Sequence, residues 1–370
     1  MRIGFDAKRA FNNRSGLGNY SRDVIRAVVK KKDDEIFLFT PKQNQSIFNI
    51  SDARIIEPQS GIDSMISAYW RSFSIVKEVD KIGLDIFHGL SNELPFTVGK
   101  PVKKLVTIHD LIFKRYPQWY KSFDRRMYDW KFKSACQNSD KIIAISEQTK
   151  SDIIDFYEID EKKIEVIYQT CNHRFKTKFT PDVIDRVKVK YRLPQDFLLN
   201  VGTIEPRKNA LNIVKAIHQH KIDIPLIIIG RNTAYAEKIR RYISEFGLES
   251  QVTILHDVSN EELPVFYQMA KIFIYPSTFE GFGIPIIEAL YSGTPVITSE
   301  GSCFSEPGGL HSIYIEVGNI DALAESISNL LTDNNRRQLM IDNGLEYVQK
   351  FNTEKVTEDL YKVYSLLMNR

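Results

Sequence analysis

A chain of 370 residues exceeds the usual size of a single hydrophobic core, and its 43% apolar content is that of a packed globular protein, so two domains are expected. The formal net charge of +3, with no dedicated block of basic residues, argues against a nucleic-acid partner. Three widely separated cysteines, Cys136, Cys171 and Cys303, form neither a disulfide framework nor a zinc set, which fits a reducing cytoplasm.

The chain opens on a short strand, residues 2–6, that already carries charge and is not an apolar signal core. Gly16-Leu-Gly18-Asn-Tyr20-Ser21 follows that strand and precedes a helix marked by Val24, Ile25 and Val28. It lacks the third glycine of a dinucleotide fingerprint, so nicotinamide binding is poorly supported. An ordinary turn and a ligand loop both fit these residues, and the place at a strand's carboxyl end favours the ligand loop. Strand-like runs at 35–40, 86–88, 104–108 and 141–146 then alternate with helical patterns, the order of a parallel sheet covered on both faces.

His109 and Asp110 follow the run 104–108, and His88 and Glu93 have a similar setting after 86–88. A histidine there is, by itself, more often structural than catalytic. Residues 114–133 mix seven basic residues and two aspartates with Tyr116, Trp119, Tyr120, Phe123, Tyr128, Trp130 and Phe132. Such a mixture suits the interface of the inner membrane, while Phe123, Met127 and Trp130 at helical spacing fit equally well an inward-packing stripe. No uncharged apolar run reaches 18 residues, so the expectation is a cytoplasmic protein, soluble or peripheral on the cytoplasmic membrane face.

A polar stretch at 171–194 reads as a linker. Beyond it, strand-like runs recur at 197–201, 225–230, 252–255, 272–275 and 295–298. The first ends at Gly202, and Arg207 and Lys208 precede a helix at about 210–220. Two adjacent cations at a strand's carboxyl end suit a diphosphate, arginine gripping two oxygens in a planar fork and lysine acting as a point charge. The run 272–275 leads into a loop carrying Glu280, Gly281, Phe282 and Gly283. Its two glycines let backbone approach a ligand closely, and Pro285 suits the first turn of a helix that holds Glu288. No Asp-x-Asp triplet is present to hold a divalent ion, so no metal requirement is expected. The last segment, 353–370, reads as a helix with Val356, Leu360, Val363 and Leu367 on one face.

Five segments in order carry a family likeness: Gly16-Leu-Gly18-Asn-Tyr20, Thr107-Ile-His-Asp110, Gly202-Thr-Ile-Glu-Pro-Arg-Lys-Asn209, Glu280-Gly-Phe-Gly-Ile-Pro-Ile-Ile-Glu288 and Ser292-Gly-Thr-Pro-Val-Ile297. Through them the chain resembles, over nearly its whole length, the retaining glycosyltransferases of GT-B architecture, family 4 or group 1, which include many bacterial mannosyltransferases. The resemblance implies an α/β fold of two Rossmann-like domains whose parallel sheets face an interdomain cleft. Residues 1–170 would form the acceptor domain, 171–194 the linker and 195–352 the nucleotide-sugar domain, with 353–370 returning to the first.

It further implies that Glu288 binds the donor ribose, Glu280 the transferred sugar, and Arg207 with Lys208 the diphosphate. Gly16 and Gly18 would reach the phosphates through backbone amides. Gly202, Gly281, Phe282 and Gly283 would complete the donor site, and His109 would lie beside the reacting sugar as a catalytic residue with Glu280, Arg207 and Lys208. Where relatives usually read Ser-Ser-Leu-Pro-Glu-Val, this chain has Ser302-Cys-Phe-Ser-Glu-Pro307, so Glu306 is matched less closely than Glu288. The implied activity is retaining transfer of a sugar from a nucleoside-diphosphate donor to a glycan or lipid-linked acceptor in bacterial surface polysaccharide synthesis. GDP-mannose is favoured over a UDP-sugar, and no cofactor is expected. A nucleotide-sugar epimerase and a non-catalytic sugar-nucleotide binding subunit are the alternatives.

Overall fold

The computed structural model describes residues 1–59, 66, 69–96 and 98–369; Arg370, the end of the expected terminal helix, lies outside them. The chain divides into two compact units, one of Met1–Thr170 plus the segment from Asn352 onward, the other of Cys171–Phe351.

The first unit is built on a parallel sheet of β1 (Arg2–Asp6), β2 (Glu35–Phe39), β3 (Arg54–Ile56), β4 (Ile86–Gly89), β5 (Lys103–Ile108), β6 (Lys141–Ala144) and β7 (Ile164–Val166). Their order is β3-β2-β1-β4-β5-β6-β7, so the chain reverses direction across the sheet between β1 and β4. The register places Ile3 against Ile36 on one side and Ile86 on the other. Ile36, Phe37, Leu38 and Phe39 are all buried, the continuous apolar run that a sheet covered on both faces demands.

The second unit repeats the plan with β8 (Leu198–Val201), β9 (Leu226–Ile229), β10 (Val252–Leu255), β11 (Ile272–Tyr275), β12 (Val296–Ser299) and β13 (Ile313–Ile315), ordered β10-β9-β8-β11-β12-β13. Here the reversal falls between β8 and β11. Strands β3, β7 and β13 escape the sequence reading. Each has three residues at a sheet edge and is only partly buried, so one neighbour suffices and no long apolar run is needed.

The terminal helix, Thr353–Leu367, lies in the first unit. Val356, Leu360, Val363, Tyr364 and Leu367 enter the core that holds Phe5, Ile25 and Val28. Two hydroxyls fix it further: Tyr361 donates to Asp34 Oδ2 at 2.7 Å, and Tyr364 Oη lies 2.9 Å from Nδ1 of buried His88.

Two sequence expectations need correction. Residues 171–194 are not a bare linker, because a turn at His173–Lys176 and a helix at Pro181–Tyr191 belong to the second unit. Phe175 meets Tyr267 edge-on at 5.4 Å, and Tyr191 donates to Glu262 at 2.7 Å. A surface helix that fully buries Val187 alone shows too narrow an apolar stripe to be seen in sequence. In the segment 114–133, the helix Ser122–Asn138 turns Phe132, Ala135 and Cys136 inward, with Tyr128 against the same core. Phe123 and Trp130 instead stand 77% and 58% exposed, because at about 100° per residue both fall on the face of the helix opposite Phe132. Among the described residues no helix is long and apolar enough to cross a membrane.

Leu360→Ala should lower the unfolding free energy of the first unit by about 2–5 kcal/mol, the usual cost of emptying a core leucine site. Leu366→Ala on the exposed face should change it by less than about 0.5 kcal/mol. Equilibrium urea unfolding of both variants checks the difference.

Candidate active site

In an open doubly wound sheet, loops that leave adjacent strands in opposite directions part at the reversal and leave a crevice beyond the strands' carboxyl ends. In the second unit those strands are β8 and β11, and the residues singled out in the sequence lie on the loops that follow them. After β8 the chain passes Gly202 and makes one tight turn at Pro206–Lys208; after β11 it passes Ser277 to Gly283 before the helix Ile284–Tyr291. The loops are laced together. Thr278 N donates to Arg207 O at 2.7 Å, and Asn209 Nδ2 donates to Pro276 O at 2.9 Å and Thr278 Oγ1 at 3.0 Å. Asn209 has φ +54°, a left-handed conformation that asparagine tolerates better than most residues.

Arg207, Lys208 and Glu280 meet in this crevice as one ion cluster. Glu280 is buried, and every contact recorded for its side chain falls on Oε1: Arg207 Nη1 at 2.7 Å, the Lys208 ammonium, Ser277 Oγ at 2.6 Å and Tyr275 Oη at 3.1 Å. Burial pushes this carboxyl up, but the Lys208 and Arg207 charges outweigh it and hold the pKa at about 2. The same burial lowers Lys208, with the Glu280 charge opposing. Arg207 is shared further, Nη2 meeting Glu205 at 2.8 Å and Nη1 donating to Phe279 O at 2.7 Å. The two cations read from sequence as a diphosphate clamp are therefore balanced by two carboxylates, Glu280, read as a sugar ligand, and Glu205 beside Arg207. Sequence reasoning missed Ser277 and Tyr275, which look like ordinary strand-end residues until the loop folds back over them.

Gly283 caps the next helix at φ +107°, a conformation that strains any side chain, and a Cβ there would lie 3.3 Å from Ile286 Cδ1. Half-buried Glu288 lies one turn further on, where its Oε2 accepts from Tyr267 Oη at 3.0 Å. Burial raises its pKa to about 7 against that bond. Phe282 departs from its expected place at the donor, since its ring is 2% exposed and stands edge-on to Phe351 at 5.5 Å. Of the three loop residues only Gly281 is partly exposed, Phe282 and Gly283 being buried. The departure at 302–307 has a structural role: Cys303, fully buried, donates through Sγ to the carbonyl oxygens of Glu280 at 3.3 Å and Phe282 at 2.9 Å. It thereby pins the glycine loop from below. Glu306 offers its carbonyl to Tyr347 Oη at 2.8 Å.

The first unit holds the remaining candidates. The helix Gly16–Lys30 begins at Gly16, where a Cβ would meet open space. Gly18 differs, because a Cβ there would lie 1.9 Å from Asn13 O. The loop in front is clamped by Arg22, whose Nη1 donates to Ala10 O and Asn13 O, both at 2.8 Å. Gly18 is thus required by the chain's own packing, whereas its sequence position suggested a phosphate. His109 is buried. Its Nε2 lies 2.9 Å from Leu90 O and its Nδ1 3.1 Å from Gln169 Nε2, which assigns the neutral form with the proton on Nε2. Burial drops its pKa to about 4. His88 is likewise internal, 2.9 Å from Thr107 Oγ1, and Glu93 is paired with Arg71 and Lys131. No group of three or more His, Cys, Asp or Glu side chains among the described residues is placed to hold a metal ion.

Two family models match most of the chain. Residues 14–174 match the model for Glycosyltransferase Family 4 and residues 184–347 that for Glycosyl transferases group 1. The chain is 26% identical to O-antigen chain mannosyltransferase B of Escherichia coli, covering 76% of this chain and 74% of that protein. It is 31% identical to O-antigen chain mannosyltransferase RfbU of Salmonella typhimurium, covering 60% of this chain and 62% of that one. Its fold matches that of HepE from Anabaena, solved in complex with UDP-glucose, with a TM-score of 0.80 over 99% of this chain and 100% of that one at 16% identity.

Gly18→Ala should destabilise the protein by about 1–3 kcal/mol, as overpacking does, while Gly16→Ala should leave its melting temperature unchanged within about 1 °C. Differential scanning calorimetry of the two variants separates a packing glycine from an open one.

Proposed function

From the premise that this chain is a glycosyltransferase, a Family 4 domain followed by a group 1 domain, we propose that it moves mannose from GDP-mannose to a hydroxyl of a growing surface polysaccharide with the anomeric configuration retained. The single observation that carries the reading is the convergence of Arg207, Lys208 and Glu280 at the strand reversal of the second unit. Two cations there are held ready for the donor diphosphate. Mannose is favoured because the bacterial relatives above are mannosyltransferases of O-antigen synthesis.

In this mechanism the bond between the anomeric carbon and the diphosphate oxygen breaks, its electron pair leaving on the phosphate. The acceptor oxygen bonds to the same face of that carbon, and its proton passes to the departing phosphate oxygen. Arg207 and Lys208 would stabilise the charge that grows on the leaving group, each worth about 2.7–4 kcal/mol for a preorganised donor. Glu280 would turn one carboxylate oxygen to a sugar hydroxyl. Glu288 would accept from the ribose, and backbone amides at Gly202, Gly281 and Gly283 would line the donor. His109, neutral with its ring nitrogens engaged, would act through shape and hydrogen bonding and not as a general base. No metal ion is assigned a role. The reading is supported if GDP-mannose raises the melting temperature more than UDP-sugars do, a ligand at 100 times its dissociation constant adding about 2.7 kcal/mol. A larger shift with a UDP-sugar would replace the donor.

Arg207→Ala and Lys208→Ala should each lower the turnover rate at saturating donor by about a hundredfold or more, with the far-ultraviolet spectrum unchanged. Near-normal rates in both would remove the clamp from the mechanism.

Glu288 yields a test with the opposite sign for stability and function. Its folded-state pKa of about 7 lies above the unfolded value, so its contribution to stability is fully present below pH 4.5 and is lost as pH rises through 7. At pH 8, Glu288→Gln without ligand should therefore be more stable than wild type by about 1–3 kcal/mol. The same variant should bind donor more weakly by roughly 1.5–3 kcal/mol. Wild-type donor affinity should rise from pH 6 to pH 8, as the carboxylate that accepts the ribose bonds forms, and should be flat in the variant. Isothermal titration across that range checks all three.

A further inference from the structure

The two carboxylates that balance the cations of the second unit's crevice are held in opposite ways. Glu280 keeps 11% of its side chain exposed and is fixed by the hydroxyls of Ser277 and Tyr275. Glu205 keeps 35% exposed and meets Arg207 Nη2 at 2.8 Å. It stands two residues before Arg207, on extended backbone (φ −138°, ψ 158°) that leads into the turn at Pro206–Lys208. Arg207 Nη1 is already bonded twice inside the cluster, to Glu280 Oε1 and Phe279 O, both at 2.7 Å. Glu205 thus occupies the other terminal nitrogen, which a diphosphate would need for a two-point grip.

An ion pair open to solvent usually contributes little to stability, so the interest of this one lies in the sum of charge. With Glu280 alone the two cations would be one charge in excess, and Glu205 brings the four groups to zero. The proposed reaction makes that sum matter. A nucleoside-diphosphate sugar has its terminal phosphate esterified by the sugar. Once the sugar has left, that phosphate exposes a further acidic oxygen which, with a second pKa of about 6, is ionised at pH 8. The product therefore carries about one negative charge more than the donor, on the group that Arg207 and Lys208 serve in the mechanism above. The Coulombic preference of a site for the more highly charged of two ligands scales with the site's own net charge. A clamp with a surplus cation holds spent nucleotide in preference to fresh donor, and a clamp that sums to zero loses that preference.

We infer that Glu205 is a specificity-determining residue that sets the donor site against the free nucleoside diphosphate, so that product leaves and donor replaces it. The inference rests on the glycosyltransferase reading above and adds to it a residue that acts on the product. Glu205 acts through Arg207 and needs no contact with the reacting atoms. Glu280 does not fill this part, because the hydroxyls and cations that keep it ionised also hold it in place. The more open Glu205 side chain is free to turn into water when a diphosphate takes Arg207 and to return when the site empties.

The experiment is isothermal titration of the full chain at pH 8, without divalent cations, using GDP and GDP-mannose and, beside them, UDP and UDP-glucose. Wild type, Glu205→Gln and Glu205→Asp are compared. The quantity read is the ratio of diphosphate to sugar-nucleotide affinity, in which the shared nucleoside and its contacts cancel. Glu205→Gln keeps an oxygen that accepts from Arg207 and removes the charge, whereas Glu205→Asp keeps the charge. For the base that binds, Glu205→Gln should tighten the diphosphate about tenfold and the sugar nucleotide about threefold or less, and Glu205→Asp should keep the wild-type ratio within about twofold. An unchanged ratio in Glu205→Gln, or an equal shift in Glu205→Asp, overturns the inference and leaves the donor reading standing. Weaker diphosphate binding by Glu205→Gln overturns it as well and makes Glu205 a support that orients Arg207. Absence of binding of all four nucleotides to wild type overturns the donor reading, and this inference with it.

Discussion

The reversal of strand order between β8 and β11 is the constraint on which the second unit's chemistry depends. Two parallel strands hydrogen-bonded along Ile272–Leu198 and Phe273–Leu199 deliver their following loops to one edge of the sheet, and because those loops depart to opposite sides, neither covers the other's start. Everything proposed for the donor follows from that edge: a turn that aims Arg207 and Lys208, a glycine loop that brings back Glu280, and a helix that begins beside it and carries Glu288. Asn209 and Thr278 hold the loops in contact, so the cations and the carboxylate keep their geometry without a ligand.

That geometry has an electrostatic consequence. Removing a carboxylate from water is unfavourable, and it persists ionised at Glu280 because two cations and two hydroxyls meet it. With Glu205 against Arg207 as well, the two cations and two carboxylates sum to no net charge. A diphosphate adds charge to a place whose cations are already oriented, so little reorganisation is left for the moment of binding. Glu288, a few residues away, is held differently: a tyrosine hydroxyl donates to it, and burial raises its pKa to about 7. One loop and one helical turn thus hold one carboxylate permanently charged and another poised to ionise.

The first unit uses its polar groups in another way. His88, Thr107, Tyr20 and Tyr364 form a buried chain of contacts that joins the terminal helix to the helix begun by Gly16, and His109 is enclosed by Leu90, Gln169 and the edge of Tyr20. These groups are satisfied by one another and build a rigid floor. At the ends of β1 and β4, by contrast, Arg71 Nε finds no hydrogen-bond partner among the described residues, and Tyr69, Phe73 and Trp130 stand exposed.

The sequence by itself determined the class of fold, ten of the thirteen strands among the described residues, and the place of Arg207, Lys208 and Glu280 on loops at strand carboxyl ends. Parallel strands buried on both faces must be written as apolar runs, and glycine, proline and charge at their carboxyl ends have few other reasons to recur in that place. It could not show the edge strands or the helix at Pro181–Tyr191, because elements that bury one narrow face leave too little pattern. Tertiary structure alone decided the partners. Spacing along the chain does not reveal that Glu280 pairs with both Arg207 and Lys208, that Phe282 turns into the core, that Gly18 yields to Asn13, or that Trp130 faces outward to join Tyr69, Phe73 and Phe96. Each depends on which side chains from distant segments are brought within a few ångströms, and that is fixed by the packing of whole elements and not by any local run of residues.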